Sequence, residues 1–543
     1  MKNLIKFFIR KERRILQRRF FKNFILKVTY NRTRVTLNVI EIENPIGMKM
    51  EKSDIVVERI NNFEYSFRNS SKKGIQNVCK ALTFKNPDPF AYSNKIQKFN
   101  KNTFTFRIGM LNTVKHYAEK KDLSIEIYDY HYCVPDILID DRMFGKYIHQ
   151  SEAVKAFYKK RFGIIEVPTR GGKTFIAAEI LRLFLNSDEG NYLFLVDTVD
   201  LFAQAVEDFQ RFFERYGGIE IGEVKAGKVD LNKRVTVGMI QTVQSVLRKG
   251  YKDKKKQREL KKYLKELTFL TVDEIHDNCS DSKLKLYKSC KSLEYQLCLS
   301  ATPYRSGQFT QNLKLKEWSG DIIYRITEDE LRKRGVLSDY KVFMLMIDHN
   351  DIDCEVDDNN YGAIRNKLIF ENAFRNNILR VLIEGLRDLG LKVLVLFQSV
   401  EHGNSMSELI GEPFISGKSS KKERESRKKE FLEKKGGVLL ASNIFKKGIT
   451  LPDVQVLINA DEGLEDANTV QRKGRVLGAT ETKERSLVID FFDVYDFYFS
   501  YHSDARLQTY IKSIGANRIG ILDTSHSKWL ETLIKWTKKW FEI

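Results

Sequence analysis

The sequence predicts an α/β protein with two parallel-sheet domains in tandem, preceded by a small α+β domain and followed by a helical tail. From about Tyr147, short apolar runs alternate with amphipathic helical stretches, which is the pattern of buried parallel strands covered by helices. The alternation pauses in an acidic, Asn-rich stretch at Asp348–Tyr361 and then resumes. We therefore expect two such sheets in tandem, with the join between their domains near Gly335–Tyr340.

The predicted segments follow from these changes in pattern. They are a basic arm over 1–34, an accessory α+β domain over 35–140, a first α/β domain over 141–338, a second α/β domain over 339–500 and a helical extension over 501–543. The strands expected in the two α/β domains are Gly163–Val167, Tyr192–Val196, Val235–Met239, Phe269–Val272, Gln296–Leu299, Lys392–Phe397, Gly437–Ala441, Val454–Asn459 and Ser486–Asp490.

The charge of the chain is concentrated at its beginning. The 543 residues carry a formal net charge of +21, and residues 1–34 hold 12 Lys or Arg with a single acid. The stretch Leu4–Val28 is compatible with a basic amphipathic helix, either as a solvated arm or as a contact for DNA or a partner. This balance favours a polyanionic partner, with nucleic acid ahead of an anionic membrane.

Other composition features limit the class of protein. No run approaches the roughly 18 apolar residues of a membrane span. The cysteines have neither zinc nor disulfide spacing, which favours a reduced, cytoplasmic chain. They are Cys79, Cys133, Cys279, Cys290, Cys298 and Cys354.

A candidate phosphate site follows the first predicted strand. Pro168-Thr169-Arg170-Gly171-Gly172-Lys173-Thr174 lies between this strand and a predicted helix, Phe175–Phe184. Glycines let backbone N–H groups face phosphate oxygens, and the helix N-terminus adds its dipole. Lys173 is expected to contact the β- and γ-phosphates, and the Thr174 hydroxyl to ligate Mg²⁺. Val167 stands where the pattern GxxxxGK[ST] has Gly, and a Gly-rich turn before a helix is the alternative.

A candidate catalytic pair follows another predicted strand. Asp273 and Glu274 come directly after Phe269–Val272, about 100 residues beyond the phosphate loop. Ligands of open α/β sheets bind at the carboxyl ends of the strands. Asp273 is therefore expected to hold Mg²⁺, and Glu274 to polarise the attacking water as a general base. A pair of surface acids is the alternative for any single Asp-Glu sequence.

These motifs, with Ser300-Ala301-Thr302 and Gln471-Arg472-Lys473-Gly474-Arg475, occur in the order found in superfamily 2 helicases and translocases. The chain resembles that family over about residues 147–500. The resemblance implies two RecA-like domains that use ATP and Mg²⁺ and grip a nucleic-acid strand. His276 completes a DEIH form of the family's DExH box.

The resemblance also implies roles for further residues. Gln150 would read the adenine, and His276, Ser300 and Thr302 would couple the nucleotide to the cleft between the domains. The expected nucleotide contacts are Gln150, Pro168, Thr169, Arg170, Gly171, Gly172, Lys173, Thr174 and Gly448. The expected strand contacts are Thr198, Gln204, Gln241, Thr242, Phe397 and Ser442. Gln471 and Arg475 would reach the γ-phosphate from the second domain.

Two positions depart from the family pattern. Asp197 stands where Pro is usual, and Gly478 stands where the last motif, QxxGRxxR, ends in Arg. An arginine finger is worth roughly 10³–10⁵ in rate, so we expect an active but weakened ATPase. Arg475 alone, or Arg475 with Arg472, would then serve the transferring phosphate.

The accessory segment and the stretch Tyr501–Tyr510 resemble UvsW-type bacteriophage helicases more loosely. The expected function is an ATP-dependent DNA helicase or translocase that remodels branched or duplex DNA in replication, recombination or repair. Single-stranded, forked or branched DNA would be the substrate, single-strand-binding or recombination proteins the partners, and the host cytoplasm the location if the chain is of phage origin. An RNA helicase, or a nucleic-acid binding or annealing protein with a weak or regulatory nucleotide site, stays open as an alternative.

Overall fold

The computed structural model describes the chain in segments. These are 24–31 and 34–41, by their backbone alone, and 53–61, 63–88, 91, 93–129, 139–187, 190–248, 250–305, 307–348, 361–442, 453–460, 463, 485–494 and 497–543. The predicted residues Gly448, Gln471, Arg475 and Gly478 lie outside the described residues. Within the described residues, no helix is long and apolar enough to cross a membrane.

The accessory domain is a mixed sheet with two helices. Its strand order is β2-β1-β8-β3-β4-β7, and β3 and β8 are parallel. The strands are β1 (Phe24–Asn31), β2 (Arg34–Glu41), β3 (Ile55–Asn61), β4 (Glu64–Ser66), β5 (Thr83–Lys85), β6 (Lys95–Gln97), β7 (Thr105–Arg107) and β8 (Ile125–Asp129), and β5 pairs with β6 as a separate ribbon. The helices are α1 (Lys72–Ala81) and α2 (Leu111–Lys120).

The predicted basic arm is wrong at its C-terminal end. Residues 24–31 form β1, which pairs with both β2 and β8, so a helix over Leu4–Val28 does not extend past Phe24. The run Phe24-Ile25-Leu26-Lys27-Val28-Thr29-Tyr30 is rich in β-branched and aromatic residues, which favours a strand once a partner is present. The accessory sheet therefore begins at Phe24 rather than at the predicted residue 35. Residues 1–23 lie outside the described residues.

Side chains fasten the accessory domain to the first α/β domain. The guanidinium of Arg107 lies 3.7 Å from the ring centroid of Trp318, and Lys98 pairs with Glu317 at 2.7 Å. Phe106 is buried in the accessory core at 2% exposure. Arg107, Lys98 and Phe106 therefore serve packing, the first two between the domains and the third inside the accessory core.

The first α/β domain is built on an eight-stranded sheet of order β12-β11-β13-β10-β14-β15-β9-β16, parallel apart from the β11–β12 pair. Its strands are β9 (Phe162–Glu166), β10 (Tyr192–Val196), β11 (Ile221–Lys225), β12 (Lys228–Val229), β13 (Val235–Met239), β14 (Phe269–Val272), β15 (Tyr295–Ser300) and β16 (Ile322–Arg325). Its helices are α3 (Ile148–Lys160), α4 (Lys173–Ser187), α5 (Val199–Phe213), α6 (Ile240–Leu247), α7 (Lys254–Glu266), α8 (Asp281–Ser289), α9 (Phe309–Ser319) and α10 (Glu328–Lys333). The parallel α/β prediction is confirmed.

The second α/β domain has a parallel sheet of order β19-β20-β18-β21-β22-β17-β23. Its strands are β17 (Asp339–Ile347), β18 (Val393–Phe397), β19 (Phe414–Ile415), β20 (Val438–Ser442), β21 (Val456–Asn459), β22 (Arg485–Asp493) and β23 (Ile519–Asp523). Its helices are α11 (Tyr361–Arg365), α12 (Ala373–Asp388), α13 (Val400–Ile410), α14 (Lys421–Glu433), α15 (Phe497–Ile514) and α16 (Trp529–Phe541).

The predicted helical extension contains a strand. β23 pairs in parallel with β17 at the edge of the second sheet, so residues 501–543 complete this domain rather than follow it. Trp536 stacks on Phe343 with ring centroids 5.5 Å apart, and Trp540 donates to the carbonyl of Ser486 at 2.8 Å. These tryptophans therefore pack the tail onto the sheet.

Two buried ion pairs hold α12 and α15 against β22. Arg506 contacts Asp490 at 3.2 Å and Arg375 contacts Asp493 at 3.0 Å, with all four side chains at most 1% exposed. Burial lowers the pKa of Arg506, but the charges of Asp490 and Asp493 outweigh this effect. The net pKa shift is upward, so the guanidinium stays charged. Buried charges of this kind are tolerated only when they are paired and hydrogen-bonded.

We predict that Arg506→Met destabilises the second domain by about 3–5 kcal/mol, because the buried Asp490 carboxylate loses its cation. Urea unfolding followed by tryptophan fluorescence measures this loss, since three of the four tryptophans of the chain lie in this domain. The three are Trp529, Trp536 and Trp540.

The matched control is Arg380→Met on α12. Arg380 contacts Glu384 at 3.0 Å, but both side chains are 32% exposed, so the expected loss is below about 1 kcal/mol. Equal unfolding midpoints for the Arg506 and Arg380 variants would show that the buried pair does not stabilise the domain.

Candidate functional site

The predicted motifs of the first α/β domain meet at one edge of its sheet. The phosphate loop (residues 168–174) follows β9, the acidic loop (residues 273–278) follows β14, and Ser300 ends β15. In the sheet, β15 lies between β9 and β14. Because parallel strands end at the same edge, these loops become neighbours although they are far apart in sequence.

The start of α3 supports the phosphate loop. The His149 ring donates from Nε2 to the carbonyl of Gly171 at 2.7 Å, and burial lowers the pKa of His149. Gly172 has φ of 87°, and a Cβ at this position would lie 2.2 Å from the Gln150 side-chain nitrogen. The predicted nucleotide contact Gln150 therefore packs directly on the loop, where only glycine leaves room for it.

Arg170 occupies a strained position in the same loop. Its φ is +71°, a region that costs of order 1–3 kcal/mol for a residue other than glycine. Its side chain lines the same cavity as Lys173, and burial lowers the pKa of its guanidinium. Backbone strain of this kind is concentrated at ligand-binding and active sites.

Lys173 and Glu274 form the centre of the site. Lys173 Nζ lies 3.3 Å from Glu274 Oε1, and the two side chains are 12% and 13% exposed. Burial raises the pKa of Glu274, but the charge of Lys173 and its hydrogen bond to the carboxylate work in the opposite direction, and the net shift is downward. Glu274 is therefore a carboxylate at neutral pH. Its Oε2 atom is buried without a hydrogen-bond partner among the described residues.

A cavity of about 440 Å³ opens in front of this pair, between the phosphate loop and α5. Thr174 and Asp273 line it together with Lys173 and Glu274, and a hydroxyl with a carboxylate suits Mg²⁺, which prefers hard oxygen ligands. Loop glycines, two cations and oxygen ligands fit a triphosphate with its metal. The lining also includes Thr169, Arg170, Gly172, Phe175, Gln204, Asp208, Arg211, Phe212 and Arg215.

The three predicted coupling residues lie in contact. His276 Nδ1 is 2.7 Å from Ser300 Oγ and 3.3 Å from Glu274 Oε2, and the Thr302 backbone N–H donates to Ser300 Oγ at 3.1 Å. Burial lowers the pKa of His276, which keeps this ring neutral at neutral pH. The acidic loop is thereby tied to the end of β15.

The predicted strand contacts of this domain separate into two groups. Gln241 and Thr242 begin α6, where Gln241 is exposed. Thr198 caps α5 by accepting from the Leu201 N–H at 3.3 Å. Gln204 lines the cavity described above and contacts Asp208 at 3.5 Å, and its role in strand contact stays a prediction.

A polar network next to these residues was not predicted from the sequence. Gln241 Nε2 donates to the backbone oxygen and to Oδ1 of Asp197, at 2.7 and 2.6 Å. Lys283 Nζ contacts the same Asp197 Oδ1 at 3.2 Å and Asn278 Oδ1 at 2.5 Å. Asp197 is distinguished in the sequence because it departs from the family pattern. Lys283 and Asn278 belong to no motif, so only their positions in space reveal them.

The prediction for Phe397 is wrong. This residue ends β18 with 0% exposure, and its ring packs between His402 and Phe414 at centroid distances of 5.1 and 5.9 Å. A side chain on the inner face of a strand cannot contact a bound nucleic acid. Ser442 ends the neighbouring β20 and is 6% exposed, so its role stays a prediction.

Comparisons with known proteins agree with this geometry. The family model "Type III restriction enzyme, res subunit" matches residues 145–305, and "Helicase conserved C-terminal domain" matches residues 375–479. The chain is 24% identical over 419 residues to the ATP-dependent DNA helicase uvsW of Enterobacteria phage T4, covering 75% of this chain and 79% of the relative.

Two further comparisons extend the likeness. The DNA 3'-5' translocase XPB2 of Sulfurisphaera tokodaii is 24% identical over 429 residues, covering 71% of this chain and 89% of that protein. The solved structure of S. cerevisiae Dbp5 bound to RNA and ADP BeF3 has a TM-score of 0.51 at 17% identity, covering 74% of this chain and 97% of the other. This last likeness shows the fold.

We predict that Glu274→Gln lowers ATP turnover by about 10²–10⁴-fold, because the general base is lost, while nucleotide binding persists. Phosphate release and titration with a fluorescent ATP analogue measure the two properties. Glu266→Gln, at an exposed position that ends α7, is the matched control with unchanged turnover. Turnover within threefold of the wild type for Glu274→Gln would assign the base to another residue.

Proposed function

We propose that this chain, which carries both motor domains of a superfamily 2 helicase, is an ATP-dependent DNA helicase or translocase. It remodels branched or duplex DNA in replication, recombination or repair. The observation that carries the proposal is the Lys173–Glu274 pair, whose charged atoms lie 3.3 Å apart. The pair lies at the carboxyl edge of one parallel sheet, and the same chain contains a second parallel sheet.

The chemistry assigns one task to each side chain of the cavity. Lys173 neutralises the β- and γ-phosphate oxygens, and Glu274 accepts a proton from the attacking water. Thr174 and Asp273 would hold Mg²⁺, which neutralises charge on the phosphates when bound. Gln150, which packs on Gly172, is the residue that would contact the base.

The second domain supplies the mechanical step. Gln471 and Arg475, by their place in the sequence, would meet the γ-phosphate only when the two domains close on ATP. Hydrolysis removes that charge and lets the domains separate. If both domains grip one strand, this cycle moves the chain along it. The grip is expected to be mainly to phosphates, and therefore weakened by salt.

DNA is the substrate we favour, as single-stranded, forked or branched molecules. The named relatives from phage T4 and Sulfurisphaera tokodaii are a DNA helicase and a DNA translocase, which supports DNA over RNA. Single-strand-binding or recombination proteins are the protein partners we propose. The described cysteines that the structure shows unpaired, Cys79, Cys279, Cys290 and Cys298, are compatible with a cytoplasmic location, in a host cell if the chain is of phage origin.

The experiment that tests this proposal measures ATP turnover and unwinding together on single strands, forks, four-way junctions and RNA. We expect DNA to stimulate turnover and forks or junctions to be unwound, and Lys173→Ala to abolish both. A wild type as inactive as Lys173→Ala would point to a binding or annealing protein. A blunt RNA duplex as the best substrate would point to an RNA helicase.

A further inference from the structure

Lys283 joins the acidic loop to the predicted strand-contact edge. Its Nζ has three acceptors: Asp197 Oδ1 at 3.2 Å, the Asp277 backbone oxygen at 3.0 Å and Asn278 Oδ1 at 2.5 Å. An ammonium group has three N–H donors, so these contacts use all of them. Lys283 lies on α8 and is 16% exposed, which strengthens its charge interaction with Asp197 relative to one in water.

Asn278 connects Lys283 to the backbone of the acidic loop. Its side chain is 0% exposed, and its Nδ2 donates to the carbonyls of Asp273 at 2.9 Å and Glu274 at 3.0 Å. Glu274 has φ of +44°, which is a strained conformation for this residue. Both carbonyls beside the strained residue are thus held by one amide group.

The other end of the network reaches the exposed edge of the domain. Gln241 is exposed at the start of α6 and donates twice to Asp197. A nucleic-acid phosphate that approaches Gln241 meets the negative charge of Asp197. The Lys283 ammonium offsets this repulsion, because it lies on the same carboxylate oxygen.

We propose that Lys283 and Asn278 are positioning residues that transmit nucleic-acid contact at Gln241 to the backbone of Glu274. When a phosphate takes the Gln241 amide, Asp197 loses two hydrogen bonds and interacts more strongly with Lys283. Lys283 then shifts with Asn278, and the carbonyls on both sides of Glu274 shift with them. The inference rests on the proposed function, since it explains how bound DNA would accelerate hydrolysis.

The test is the ratio of ATP turnover with saturating single-stranded DNA to turnover without DNA. Lys283→Met keeps the length of the side chain and removes its donors. We expect it to lower this ratio about tenfold, within the usual range of coupling between sites. DNA affinity, measured by fluorescence anisotropy, should stay within about threefold. Lys285→Met, at an exposed position on the same helix, is the matched control and should keep the wild-type ratio.

Asp197→Asn is the second variant. This change keeps an oxygen that can accept from Gln241 and removes the negative charge that pairs with Lys283. The ratio of DNA-stimulated to basal ATP turnover should therefore also fall. If Lys283→Met does not fold, Asp197→Asn alone tests the proposal. The double variant should lose no more than Lys283→Met does, because both changes break one connection.

Three outcomes would overturn the inference. The first is a wild-type ratio of DNA-stimulated to basal turnover in both single variants when they fold. The second is a double variant whose loss in this ratio is the product of the two single losses. The third is a variant that loses turnover by the same factor with and without DNA. A wild type that DNA does not stimulate would instead refute the proposed function, so the two failures are distinguishable.

Discussion

A carboxylate that is largely removed from water requires a nearby cation, and the site of this protein depends on that requirement at Glu274. Lys173 lies 3.3 Å away and keeps Glu274 charged despite its burial. The same pair sets the orientation of two loops, since Lys173 begins α4 and Glu274 follows β14. In the proposed function, the phosphates of an entering nucleotide would compete with Glu274 for Lys173 and free the carboxylate to bind water.

The acidic loop is restrained on several sides. Ser300, through His276, ties it to β15, while the Asn278 side chain donates to the backbone carbonyls of Asp273 and Glu274. Arg305 contacts Asp277 at 2.5 Å. A loop that is held at so many points can keep Glu274 at a positive φ, and it moves as a unit when any neighbour shifts. This arrangement suits a protein in which hydrolysis must follow events at a distance.

Much of the fold could be predicted because buried parallel strands carry a local signal. Tyr192–Val196, Val235–Met239 and Phe269–Val272 match their predicted bounds. The strands β1 and β23 were missed because each is stabilised by a strand that is distant in sequence, here β8 and β17. Phe397 was misassigned because a motif gives a position in the chain but not the face of the strand. Lys283 and Asn278 gave no signal, since their contacts arise only from folding.

In the proposed function, the nucleotide site and the nucleic-acid edge are energetically linked. The most direct test is the affinity of a non-hydrolysable ATP analogue, measured by isothermal titration with and without saturating single-stranded DNA. We expect saturating DNA to tighten the affinity for the analogue by about 5–150-fold, the usual range for coupled sites. Identical affinities in the presence and absence of DNA would contradict it.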